Sequence, residues 1–157
     1  MGNYKDTNKF EKKFTMPTNR TFTMIKPDAV ADGHSGAIIQ QIESAGYKIV
    51  AIKKVLLTKE QAGQFYAIHK ERPFFESLCN YMTSNVIIPM VLEKGNAVQD
   101  FRTFIGSTNP ELAEAGTIRK QFAKSMEANA IHGSDSDENA EIEGKFFFSE
   151  KELEQRL

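Results

Sequence analysis

The sequence predicts an α+β fold, a four-stranded antiparallel sheet of ferredoxin-like type covered by helices. Three observations carry the prediction. Strand-like segments stand at 20–26, 47–57 and 85–93, with a very short one at 129–131. Segments with apolar residues at helical spacing lie between and after them. The resulting order is strand, helix, strand, two helices, strand, helix, loop, short strand, helix. It suits a sheet with helices packed on one face.

Each element has a local reason. "RTFTMIK" alternates and is bounded by Pro27. "SGAIIQQIESAG" puts Ile38, Ile39, Ile42 and Ala45 on one helical face, with Gly46 as the stop. "YKIVAIKKVLL" is the second strand. Thr58 with Gln61 makes a capping box for a helix carrying Ala62, Phe65, Tyr66 and His69. Pro73 is placed to start a short helix bearing Phe74, Leu78 and Met82. "NVIIPMVLE" reads as a strand although Pro89, which lacks a ladder donor, sits in its middle. Asn96 caps a helix that runs to Ile105 and stops at Gly106. "STNPELAEAG" is a loop, and 117–125 holds one or two helical turns. Ser136 caps the last helix, whose first turn holds Asp137 and Glu138, where the helix dipole favours anions.

Composition bounds the function. The chain has 157 residues, enough for one domain with a real core. The net charge of −1 gives no large basic face, so no nucleic-acid partner is expected. No apolar run approaches the ~18 residues of a membrane span. The single cysteine, Cys79, lies in an apolar segment and reads as a buried small hydrophobe. A cytoplasmic location is expected. Residues 1–15 are polar and lack the apolar middle of a secretory signal. They read as a disordered N-terminal extension or tag, with Met16 as an alternative natural start, and 16–157 as a single domain.

Several chemistries are missing. There is no G-x-x-x-x-G-K-[ST], no G-x-G-x-x-G after a strand, and no G-x-S-x-G. The acidic run 135–146 begins like a calcium loop but has Ala140 where glycine is needed and Phe146 where the bidentate glutamate belongs. His34, His69 and His132 share no zinc-ligand spacing.

His132 is different. It follows Ala130-Ile131 and precedes Gly133, which permits close backbone approach or an unusual turn. Ser134 and Glu143 are candidates to hold one ring nitrogen, which leaves the other as nucleophile or base. A nucleophilic imidazole suits phosphoryl transfer, a reaction that needs cations around the moving group. Lys26, Arg102 and Arg119 supply such cations, and Thr108 and Tyr66 supply further hydrogen-bond donors.

"TFTMIKPDAV", "FYAIHKERPFF", "IGSTNPELAEAGTIRKQF" and "NAIHGSDSDENAEIE" occur in that order between about Arg20 and Phe148. Together they resemble the successive signatures of the nucleoside diphosphate kinase family. The resemblance implies a ping-pong exchange of the γ-phosphoryl group between nucleoside triphosphates and diphosphates (ATP, GTP and the other NTP and NDP species, deoxy forms included). Mg2+ is implied on the nucleotide phosphates, mostly without protein ligands. By position, His132 matches the phosphorylated histidine, and Glu143 and Ser134 match the pair that orients it. Lys26, Tyr66, Arg102, Thr108 and Arg119 match the groups around the phosphates. Asn129 matches the ribose-binding asparagine, Phe74 the aromatic that stacks on the base, with Leu78 beside it. Stacking of this kind tolerates any base.

The chain departs from the family pattern at several positions. Met126 replaces an aliphatic residue over the other face of the base. Asn139 and Gly144 replace a common serine and isoleucine. Asn85, Val86 and Pro89 alter the start of the third strand, and Ala115 stands where some members carry proline. The short end after "FSEKELEQRL" leaves a homo-hexamer and a homo-tetramer both open. Two other classes of function are weighed: an inactive scaffold of the same family, and an RNA-binding module using "KFFF" (145–148) as a stacking platform.

Overall fold

The structure is a computed structural model in which residues 19–155 are described. The expectations for residues 1–15 and for Met16 lie outside them. The strands are β1 (Arg20–Ile25), β2 (Lys48–Ile52), β3 (Ile88–Glu93) and β4 (Ile131–Gly133). They form one antiparallel sheet in the order β2-β3-β1-β4. The helices are α1 (Pro27–Ala31), α2 (Ser35–Ser44), α3 (Lys59–Phe65), α4 (Phe75–Met82), α5 (Ala97–Ile105), α6 (Ile118–Phe122), α7 (Asp137–Phe147) and α8 (Glu150–Leu153).

The fold class is the one the sequence predicts, but helices cover both faces of the sheet rather than one. All six residues of β1 are buried. Phe22 and Met24 join Val91 in a core closed by Ala62, Met82, Ala140 and Leu153 from α3, α4, α7 and α8. Ile25 joins Met90 and Leu92 in a second core closed by Ile38, Ile42, Phe101 and Ile105 from α2 and α5. Thr21 and Thr23 of β1 are fully buried although the strand alternates in sequence, so a period-two reading takes their face for a solvent face and misses the second helical layer.

Pro89 lies in β3, an inner strand. Its carbonyl accepts from Lys53 N–H at 3.2 Å, so its backbone addresses the β2 side. A residue in an antiparallel ladder points N–H and C=O the same way. The missing donor therefore falls just where β2 has ended at Ile52. Beyond it the ladder resumes only as the isolated Val55–Ile87 bridge. The second strand is thus shorter than the predicted 47–57, and it carries a register shift between Ile49 and Ala51.

The expected capping box is present: Thr58 Oγ1 accepts from Gln61 N–H at 3.1 Å and Gln61 Oε1 from Thr58 N–H at 3.0 Å. It opens α3, which stops at Phe65. Tyr66 is the C-cap, and His69 sits in the following 3-10 turn, Ala67–His69. Pro73 precedes α4 rather than starting it; Phe74 is the N-cap. Asn96 bounds α5 as expected, but with φ 53° and no side-chain cap. The short helices α1 and α8 were not anticipated, although Ser149 and Glu152 form a capping box at α8.

Candidate active site

The site is built around β4. Just before it, Ile131 N–H donates to Asn129 O at 2.9 Å across Ala130, whose φ is 73°. This is a γ-turn of the strained positive-φ kind. The unusual turn expected at Gly133 therefore sits at Ala130. Gly133 serves close approach: a Cβ there would meet Ile105 Cδ1 at 2.9 Å. The strand is displaced from the predicted 129–131 to 131–133, so His132 lies within the sheet, opposite Met24 of β1. Its backbone carbonyl accepts from Thr23 Oγ1 at 2.6 Å. The imidazole rests among aromatic rings, with centroids 5.8 Å from Phe22 and 6.0 Å from Phe65.

Glu143, on the inner side of α7, holds the ring. One carboxylate oxygen, Oε1, meets His132 Nε2. The other accepts from Ser134 Oγ at 3.2 Å, and Ser134 is itself buried and lies 3.2 Å from the Phe22 carbonyl oxygen. Helix α7 is fixed at its start by the predicted cap, Ser136 Oγ accepting from Asn139 N–H at 3.1 Å. Among the described residues His132 Nδ1 has no hydrogen-bond partner. A carboxylate on one nitrogen fixes the tautomer and leaves the other with its lone pair free.

His132 and Glu143 line a cavity of about 930 Å³. Lys26, Tyr66, Arg102, Thr108, Arg119 and Asn129 line the same cavity. Lys26 and Arg119 are buried. Arg119 donates to Gly106 O and Ile131 O, both at 2.9 Å, while its Nε lies buried without a partner. Among the described residues none of Lys26, Arg102 and Arg119 forms an ion pair with a carboxylate. Burial, then the neighbouring Arg119, pushes the Lys26 ammonium down to about 8, against the pull of Asp28 and Glu127. Burial, then Arg102, pushes Arg119 down to about 10. Both remain largely charged at neutral pH. Cations gathered in one cavity with no direct ion pair make a site that gains from an arriving anion. The Tyr66 phenol is pushed up by burial and by the charge of Glu143, so it stays protonated as a donor.

Asn129 is 2% exposed. Its amide nitrogen donates to Thr108 O at 3.4 Å, and its Oδ1 is buried without a partner. A hydroxyl arriving from a ligand would satisfy that oxygen. Leu78 and Met126 give the cavity an apolar end, and the highly exposed Ile68 and Leu112 stand at its rim. Two predicted residues lie outside the wall. Ser134 stands behind Glu143. Phe74 is half exposed, with its ring 5.4 Å from His69. Ile68, Leu112 and Asp135 were missed as lining residues. For Ile68 the signal was available, because an isoleucine in a polar stretch between two helices has no core to enter. The "KFFF" platform does not exist as such: Phe147 is stacked on Phe22 at 5.5 Å and Phe148 is buried.

The family model described as nucleoside diphosphate kinase matches residues 19–153. The chain belongs to the nucleoside diphosphate kinase family. It is 56% identical over 134 residues to the nucleoside diphosphate kinase of Chlorobium chlorochromatii, covering 85% of this chain and 96% of that one. It is 56% identical over 137 residues to that of Flavobacterium psychrophilum, covering 87% and 99%. The solved nucleoside diphosphate kinase structure from Aquifex aeolicus superposes with a TM-score of 0.83 at 41% identity, covering 85% of this chain and 97% of that one. That from Encephalitozoon cuniculi gives 0.83 at 38% identity, covering 88% and 93%.

Proposed function

We propose that the chain moves the γ-phosphoryl group of a nucleoside triphosphate to a nucleoside diphosphate, with His132 Nδ1 as the temporary carrier. The observation that carries this reading is the pinned imidazole. One ring nitrogen is held by Glu143, and the ring lines a cavity that also holds Lys26, Arg102 and Arg119, none of them in an ion pair among the described residues. In the first half-reaction the Nδ1 lone pair forms a bond to the γ-phosphorus, and the bond from that phosphorus to the β–γ bridging oxygen breaks. The diphosphate leaves with the electron pair. In the second, a terminal oxygen of another diphosphate attacks the phosphorus and the P–N bond returns its pair to the ring. Glu143 stabilises the charge that develops on the imidazole, through the Nε2 hydrogen.

Lys26, Arg102 and Arg119 are proposed to neutralise the phosphate oxygens, with Thr108 and Tyr66 as hydrogen-bond donors. Asn129 Oδ1 is proposed to accept from a ribose hydroxyl. Leu78 and Met126 enclose the base, and Phe74 contributes at the rim. Among the described residues no group of three or more acidic or imidazole side chains could cage a metal. Asp135 stands in the cavity wall, together with Glu114 and with Glu143, whose oxygens are engaged by His132 and Ser134. Scattered carboxylates of this kind fit Mg2+, which keeps several waters and is held by one or two carboxylates together with substrate phosphates. Mg2+ bound to the nucleotide would spread the charge of the phosphates.

No helix among the described residues is long and apolar enough to cross a membrane. We place the enzyme in the cytoplasm as a homo-oligomer, hexamer or tetramer. The exposed Ile52 and Leu56 beside β2, an edge strand among the described residues, support self-association.

The test is direct. Incubation with γ-labelled ATP leaves an acid-labile, base-stable label on the protein. His132→Ala removes label and exchange together while circular dichroism stays unchanged. A label that survives the substitution overturns the assignment of the nucleophile.

A further inference from the structure

Lys26 lines the cavity, yet it is buried and forms no ion pair among the described residues. Its backbone is fixed as the N-cap of α1: the N–H donates to Ala130 O at 2.9 Å, and the carbonyl accepts from Val30 N–H at 3.2 Å. Burial and Arg119 of α6 both work against the proton on its side chain. Two carboxylates work for it, Asp28 first and Glu127 second. Glu127 is exposed, so water screens its charge. Asp28 is half-buried in the first turn of α1. The other titratable groups in the cavity wall are Tyr66, His69, Arg102, Glu114, His132, Asp135 and Glu143.

Asp28 is held from a second helix. Tyr81 of α4 donates its phenol hydrogen to Asp28 Oδ1. Burial, then that same bond, pushes the phenol up, so it stays protonated as a donor. The second carboxylate oxygen, Oδ2, is buried and has no hydrogen-bond partner. A desolvated carboxylate oxygen without a donor is costly unless a cation stands near enough to feel its field. Lys26, two residues back in the chain, is such a cation. Neither Asp28 nor Tyr81 lines the cavity, so their route to a bound ligand runs through Lys26.

We infer that Tyr81 and Asp28 are a positioning pair for the reaction: Tyr81 fixes the Asp28 carboxylate, and that carboxylate sustains the positive charge Lys26 presents to the phosphates. This rests on the nucleotide-binding reading above. A lysine buried beside an arginine tends to give up its proton, and a neutral amine attracts phosphate poorly. A direct ion pair would keep the proton but spend the charge on the protein's own carboxylate. A carboxylate anchored elsewhere, by Tyr81, supports the ammonium electrostatically and leaves its hydrogens for the ligand.

The experiment follows Lys26 directly and through turnover. The protein is labelled with carbon-13 at lysine Cε, and the Lys26 signal, identified by its loss in Lys26→Met, is titrated by NMR in the wild type, Asp28→Asn and Tyr81→Phe. The KM for ADP at fixed ATP is measured over the same pH range. Asparagine keeps the size of the carboxylate and still accepts from Tyr81, so Asp28→Asn removes the charge alone. In the wild type the KM rises above about pH 8. In Asp28→Asn the Lys26 titration and the KM rise should both move about one pH unit lower, as expected for the loss of a nearby opposite charge. That makes the KM about fivefold higher than wild type at pH 8, with the gap closing towards about pH 6. Tyr81→Phe keeps the charge and removes its anchor, so both should move the same way by a smaller step. A Lys26 titration at the wild-type pH in Asp28→Asn overturns the inference. A KM raised equally at every pH overturns it too, because that is the mark of a structural lesion. A Tyr81→Phe variant that titrates like the wild type overturns the pairing. Absence of any phosphate exchange in the wild type would instead strike at the proposed function, while the NMR titration still decides the effect of Asp28 and Tyr81 on Lys26.

Discussion

Glu143 Oε1 meets His132 Nε2, while Glu143 Oε2 accepts from Ser134 Oγ at 3.2 Å. The carboxylate spends one oxygen on the imidazole and the other on a buried hydroxyl. It therefore cannot rotate away without breaking a second bond, and the ring it holds is fixed with Nδ1 as the free nitrogen. Glu143→Gln keeps the shape and removes the charge. Behind metal-bound imidazoles, altering the group on the far nitrogen typically costs about 10- to 100-fold, and Glu143 plays the same orienting part here without a metal. Turnover is expected to fall by at least ~10-fold, with nucleotide affinity changed less than about twofold, since Glu143 acts on the ring rather than on the phosphates. Single-turnover phosphorylation of the protein, measured beside nucleotide binding, checks the split. Unchanged turnover would remove Glu143 from the mechanism.

Lys26 is 8% exposed, and its ammonium is pushed from 10.5 down to about 8. The folded protein therefore disfavours the charged form. Between those two pH values the unfolded chain binds more protons than the folded one, so stability rises with pH across the window. The cost of the buried charge is fully present below about pH 8 and corresponds to about 3 kcal/mol. Lys26→Met removes the charge and should stabilise the fold by that order at pH 7, the gap to wild type closing as pH rises towards 10.5. Urea unfolding across pH measures it. The same variant should bind nucleotide poorly, and in the wild type the KM for nucleotide should climb above about pH 8 as Lys26 loses its proton. A KM flat to pH 10 would exclude Lys26 from phosphate binding.

Gly106 ends α5 with φ 93°, and a Cβ there would lie 2.6 Å from Thr117 Oγ1 and 2.8 Å from Thr117 Cβ. Thr117 caps α6, accepting from Lys120 N–H at 3.3 Å, and the Gly106 carbonyl holds Arg119. Gly106→Ala therefore strains its own backbone and displaces the cap of the helix that carries Arg119. The expected loss is roughly 2–3 kcal/mol of stability, from left-handed strain and the disturbed cap. The KM for nucleotide should rise as the guanidinium loses its seat. Thermal unfolding and initial-rate kinetics of the variant test both parts.

Most of the site was legible because its residues sit in contiguous motifs, each tied to an element with a strong local signal. The capping box at Thr58 and the cap at Ser136 could be read residue by residue. What could not be read depends on contacts between distant segments. The second helical layer was hidden because β1 alternates in sequence: Thr21 and Thr23, which read as solvent-facing, are fully buried on the second face. The γ-turn at Ala130 was hidden because alanine carries no turn signal; a long-range bond from Lys26 N–H, just after β1, to Ala130 O at 2.9 Å holds it there. Pro89 looked like a conflict only because the end of β2 could not be located. Phe74 was expected against the base by position, whereas its ring leans on His69 in this structure.

Arg20 opens β1 and is 6% exposed. Its Nε pairs with Glu93 Oε2 of β3 at 2.8 Å, and its other nitrogens donate to the backbone carbonyls of Leu153 and Gln155. One guanidinium thus ties the end of α8 to the central strands. The carbonyls at a helix C-terminus have no intrahelical donors, so a cation there satisfies groups that would otherwise be left buried. Arg20→Met keeps the apolar stem and removes all three attachments, leaving Glu93 partly buried without its partner. Breaking a buried pair from one side costs about 3–5 kcal/mol, and the 25% exposure of the Glu93 side chain places the expected loss towards the lower figure. The released segment should become accessible to carboxypeptidase and to protease near Leu153, while the His132–Glu143 geometry, held by α7 and β4, keeps phosphoryl transfer intact at low temperature. Loss of transfer together with the C-terminal segment would mean instead that α8 supports the site.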